Sequence, residues 1–126
     1  MRRIVTFMLL LVAAIHLLPL AGALGAEQLG RLYGTPISDP DLLILMRHRA
    51  VLFGLLGGFL AGAAFVRAWQ PLALVAGLVS VGSFLLIAWL QGGYNAEVGR
   101  VVAADIAAGV CLLIALAAFC RSRRTV

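Results

Sequence analysis

Six side chains of this 126-residue chain carry chemistry within long apolar stretches or at their edges: His16, Arg47, His48, Arg49, Tyr94 and Asp105. Imidazole can relay protons or ligate a metal. Guanidinium forks recognise phosphate or carboxylate, and a carboxylate in apolar surroundings demands a cation or a donor. Asp105 shares a helical face with Ala104, Ala108, Gly109 and Leu112. A carboxylate among such small residues is expected to point inward, with Arg49 or Arg47 as its partner. Two readings of that placement stand side by side: an ion pair that fixes the fold, and a polar pocket. Neighbours on a helix point about 100° apart, so Arg47 and Arg49 cannot face one cavity equally. Arg47-His48-Arg49 also fits cations snorkelling to headgroups. His16 reads as a hydrogen-bonded interior residue. Ligation of haem by His16 and His48 is the sharper alternative, although His48 lies between two arginines.

The elements that position these residues follow from composition. Hydrophobic residues make up 63% of the chain and charged ones 12%, too little polar surface to coat a water-soluble globule. Four apolar runs, 4–24, 50–66, 71–90 and 101–120, are each close to the ~20 residues that cross a bilayer as a helix. The expected fold is an all-α, polytopic membrane protein, an antiparallel four-transmembrane-helix bundle. The start of the chain could pass for a signal peptide, but its apolar run exceeds the usual ~7–15 residues and reads as a retained helix. With four spans both termini share a side. That side holds Arg2, Arg3, Arg67, Arg121, Arg123 and Arg124; the other holds Arg31, Arg47, Arg49 and Arg100 with four acids. The arginine bias favours cytoplasmic termini in a bacterial inner membrane. At ~1.5 Å per residue, His16 lies about 20 Å, Asp105 about 24 Å, Arg49 about 27 Å and Arg47 about 30 Å from the cytoplasmic boundary. Three separate segments thus bring polar groups to one depth, in the outer third of the bilayer. Tyr94 and Arg100 sit just above it, and Tyr94 also suits an interfacial aromatic.

The connections carry local signals. Residues 26–33 form a short surface helix stopped by Gly34. Asp39 caps a second long helix that begins near Pro40. Asn95 caps the last helix, with Glu97 in its first turn. Helix two carries Ala50, Gly54, Gly58 and Gly62 at four-residue spacing, a GxxxG-type groove for close helix approach. Gly77 and Ser80 of helix three answer it. On this reading a Gly58→Leu substitution disrupts the bundle.

Other chemistries lack their residues. Cys111 and Cys120 lie about 13 Å apart along one helix and cannot bridge each other. No CxxC, HExxH, Walker A or glycine-rich dinucleotide loop is present. The small multidrug exporters need a Glu in the first helix that this chain does not have. No cofactor is called for, and the arginines point to anionic lipid rather than nucleic acid.

Residues 43–54, Leu-Ile-Leu-Met-Arg-His-Arg-Ala-Val-Leu-Phe-Gly, with Gly92-Gly93-Tyr94-Asn95, resemble a group of uncharacterised four-helix bacterial membrane proteins. Some of that group carry the label phosphopantetheine adenylyltransferase. That activity belongs to a soluble α/β enzyme with an HxGH motif, which this chain lacks. The resemblance implies fold and location and supplies no catalytic residue. The functional expectation is a non-enzymatic membrane protein that binds a small hydrophobic or anionic molecule, or a lipid, at the outer Arg/His/Asp cluster. A structural subunit contacting its own copies or another membrane protein is the second reading, and a small membrane enzyme or haem protein the third.

Overall fold

A computed structural model describes residues 1–124. Its helices are α1 (Arg2–Leu17), α2 (Ala26–Tyr33), α3 (Pro40–Phe65), α4 (Gln70–Gln91) and α5 (Ala96–Arg124). Four segments are long and apolar enough to cross a membrane: Arg2–Leu24, Pro40–Phe65, Arg67–Gln91 and Ala96–Arg123. α1 packs against α3 and α5, and α4 packs against α5 and α3. The four long helices therefore close a ring with α1 opposite α4.

Most element ends have local causes. Asp39 Oδ1 accepts from the Leu42 N–H at 2.8 Å, and Pro40 opens α3 at a position that needs no donor. Asn95 Oδ1 accepts from the Val98 N–H at 2.8 Å, while Asn95 Nδ2 donates to the Tyr33 carbonyl at 2.7 Å. One side chain thus caps α5 and ties it to the end of α2. Gly34 closes α2 with φ 65°. A Cβ there would also stand 2.8 Å from Glu97 Cδ, so this left-handed cap is restricted to glycine twice over.

The first apolar run is not one α-helix. It changes at Leu18 to a tighter 3₁₀ turn that continues to Leu24. Pro19 explains the change, since its nitrogen cannot donate to Ile15 and its ring crowds that carbonyl.

The core follows a seven-residue rule. α1 buries Val5, Leu9, Val12 and His16 along one line. α5 answers with Asp105, Ala108, Leu112 and Ala115. Both lines run apolar and end on an ionisable rung, His16 in one and Asp105 in the other.

On α3 the close seam is Ala50, Gly57 and Ala64, all buried. A Cβ on Gly57 would lie 2.9 Å from Leu17 Cγ and 3.2 Å from the Ala13 carbonyl. Thr6 Oγ1 donates to the Ala64 carbonyl at 2.9 Å and fastens the far end of the seam.

This corrects the four-residue stripe. Gly54 faces Leu20 and Gly62 faces Trp69, but Gly58 is exposed and a Cβ there would meet nothing within 4 Å. The cause is geometric: a four-residue step overshoots a full turn by about 40°, whereas seven residues miss two turns by only about 20°. The stripe winds off the contact line, so a Gly58→Leu change has nothing to disrupt.

Gly77 faces α5 first and α3 second, away from the four-residue stripe. A Cβ there would stand 3.0 Å from Leu112 and 3.6 Å from Leu60.

Candidate functional site

His16, Arg49 and Asp105 line one cavity of about 240 Å³, roofed by α2. α2 is held there by Leu29, which is fully buried against Gly22, itself beside Ala50. This packing sets Tyr33, the last residue of α2, over the mouth.

Arg49 is partly buried. Its Nη1 donates to the Tyr33 hydroxyl at 2.8 Å. Its guanidinium carbon lies 4.7 Å from the centre of the Phe53 ring, 5.4 Å from Tyr33 and 6.0 Å from Phe84. Stacking on rings favours the cation and fixes the fork in place. Its other N–H groups find no protein acceptor among the described residues.

Asp105 is only 7% exposed. Among the described residues it makes no hydrogen bond, and no ion pair within 4.0 Å. Arg49 supplies the opposing charge in its field. No polar atom among the described residues is sealed off without a partner, so the carboxylate oxygens reach the cavity surface. A buried carboxylate left with only a cavity before it is costly unless something fills that cavity.

His16 is 2% exposed. Its Nδ1 lies 2.9 Å from the Val12 carbonyl, which can only accept, so Nδ1 bears a hydrogen. Nε2 stands 3.4 Å from Ser80 Oγ on the opposite helix. The ring packs at 5.7 Å on Phe53, the ring that also carries Arg49. His16 thus connects α1, α3 and α4 at the cavity floor. Ser80, read from sequence as a packing residue, is its hydroxyl partner.

Three further charged residues stand on the wall: Arg31, Glu97 and Arg100. They are spoken for. Arg31 pairs with Glu27 at 2.6 Å and Arg100 with Glu97 at 3.1 Å. Among the described residues, the charged groups of the wall without an ion-pair partner are the Arg49 guanidinium and the Asp105 carboxylate.

The remaining sequence candidates lie elsewhere. Arg47 is exposed and donates to the Ala23 carbonyl at 2.9 Å, which anchors the 3₁₀ segment to α3. His48 is exposed and does not line the cavity that His16 lines. Tyr94 is 48% exposed and lies in the connection before α5, beside Gly99 of that helix. Among the described residues no group of three His, Cys, Asp or Glu side chains could hold a metal ion.

Tyr33, Phe53 and the Glu97–Arg100 pair were not singled out for this site. One signal was present for Tyr33. Leu29, Leu32 and Tyr33 fall at i, i+3 and i+4 of the short helix, which marks its inward face.

No protein-family model matches the chain, and neither a curated protein nor a solved structure is significantly similar to it.

Proposed function

We propose that this chain is a multi-pass protein of the bacterial inner membrane, an antiparallel four-helix bundle that binds a small polar-headed molecule or lipid in the His16–Arg49–Asp105 cavity. Membrane placement is supported by an inverted surface. Phe7, Leu55, Phe65, Leu72, Val79, Ile87 and Leu113 stand more than half exposed, while a His and an Asp are buried inside. A hydrocarbon solvent removes the penalty for the first and enforces the second. The antiparallel arrangement is supported by contacts that run in opposite order: Thr6 with Ala64, Ala13 with Gly57, Leu20 with Gly54, then Gly77 with Leu112 and Val81 with Gly109. With the arginine-rich termini in the cytoplasm, the cavity opens toward the outer leaflet.

One observation carries the binding reading. Asp105 is buried, has no hydrogen-bond or ion-pair partner among the described residues, and lines a space that Arg49, with spare donors, also lines. A carboxylate whose only task is to hold the bundle closes on its cation, and this one does not. Native mass spectrometry from mild detergent tests the proposal. The wild-type protein is expected to carry a non-covalent small-molecule or lipid adduct. An Arg49→Ala/Asp105→Ala variant that still melts normally is expected to lose it. A bare wild-type protein, or an adduct that survives in the double variant, overturns the reading. A reporter fused to the C-terminus and active only in the cytoplasm tests the orientation, and its silence would reverse it.

A further inference from the structure

The charges that line the cavity are paired in all but one place, and that place has two ends. Arg31 and Arg100 each hold an acidic neighbour, Glu27 and Glu97, at the solvent-exposed rim. Arg49 keeps N–H donors with no protein acceptor, and Asp105 keeps a carboxylate with no protein donor, more than 4.0 Å from it among the described residues. A purely anionic head would satisfy Arg49 but bring like charge against Asp105. A purely cationic head would do the reverse. Like charges brought together in a partly buried site repel, so either mismatch weakens binding. A head with one charge of each sign satisfies both ends.

The space also limits size. About 240 Å³ is below the ~300–1,000 Å³ that encloses a drug-sized molecule. It suits a compact head group rather than a whole lipid.

A second cavity of about 280 Å³ adjoins it and shares Tyr33, Arg49 and Val101. Its other walls are chiefly hydrocarbon, from Ile37, Leu42, Met46 and Phe84. Arg49 and its Tyr33 hydroxyl partner therefore stand between a charged chamber and an apolar one.

We propose that the site takes a zwitterionic amphiphile: its primary ammonium group donates to Asp105, its phosphate accepts from Arg49, and its hydrocarbon lies in the adjoining apolar cavity. This rests on the ligand-binding reading above and narrows it to one class of head group.

The test is direct binding to the full-length protein in maltoside micelles, with four probes: lysophosphatidylethanolamine, lysophosphatidylglycerol and an alkylammonium, all of one chain length, and free phosphoethanolamine. Lysophosphatidylethanolamine is expected to bind at least tenfold tighter than each of the other three. Asp105→Asn is expected to abolish its advantage over lysophosphatidylglycerol. Arg49→Gln is expected to weaken both phospholipids and leave the alkylammonium unchanged. Lysophosphatidylglycerol binding as tightly as the ethanolamine lipid, in an Arg49-dependent way, overturns the zwitterion and leaves the broader reading standing. Free phosphoethanolamine binding as tightly as the lipid overturns the chain's place in the apolar cavity. If no probe binds, the zwitterion proposal falls; a bare wild-type protein in native mass spectrometry would then remove the broader reading as well. Should Asp105→Asn fail to fold, the wild-type preference among the four probes decides alone.

Discussion

Along α1, α3 and α5, one half of the structure is filled and the other is hollow. In the filled half, Gly57 admits Leu17 and the Ala13 carbonyl, Thr6 bonds across to Ala64, and Leu9, Leu60 and Leu112 are fully buried. In the hollow half the same lines end on His16 and Asp105, α1 gives way to a 3₁₀ turn at Leu18, and a cavity opens. The filled half is made of groups that gain by excluding space, since close packing is what joins helices in lipid. The hollow half is made of groups that gain only from a partner. On the proposed function, that contrast separates residues that hold the bundle from residues that meet a ligand.

Substitutions can break the contrast from either side. The largest effect is expected at Leu60, where Leu60→Ala opens a void in the filled half and costs about 2–5 kcal/mol. Its melting temperature in detergent should fall by more than that of any change at the cavity wall. Gly57→Leu is next, because its first added carbon already meets Leu17 and Ala13; overpacking of this kind costs about 1–3 kcal/mol. Asn95→Ala removes the α5 cap and the bond to the Tyr33 carbonyl, for about 1 kcal/mol by the usual value of a cap. Hydrogen exchange at the end of α2 and the start of α5 should quicken before the rest of the protein. Gly58→Leu sits one residue from Gly57 and is expected to shift stability by no more than about 0.5 kcal/mol, as for an open surface site. Equal losses in the Gly57 and Gly58 variants would erase the seven-residue seam.

Features decided by a few neighbouring residues were legible in the sequence. The bounds of α2, its glycine stop, the Asp39 cap before Pro40 and the Asn95 cap all depend on short-range hydrogen bonds and backbone limits, and they stand where the local signals put them. Counting depth along each helix also put His16, Arg49 and Asp105, which line one cavity, at one level. Depth, however, says nothing about direction around a helix, which is why Arg47 and His48 share that depth yet face away. Direction is set by which line of residues contacts the neighbours, and that line follows seven-residue steps. The glycine stripe misled for the same reason. Pro19 was visible as a residue, but the extent of the 3₁₀ turn depends on Arg47 holding the Ala23 carbonyl from another helix. Tyr33 reaches the site only because Leu29 docks α2 over it, a tertiary effect carried by Gly22 and Ala50.

The most direct test of the central claim is the melting temperature of Asp105→Asn in detergent, without added ligand. A carboxylate kept for a ligand makes no bond that the fold needs, so the variant is expected to melt at or above the wild-type temperature. A carboxylate paired to hold the bundle would leave a buried guanidinium uncompensated when neutralised, a loss of about 3–5 kcal/mol. A fall of that size in the Asp105→Asn protein would contradict the account and return Asp105 to the structural half of the molecule.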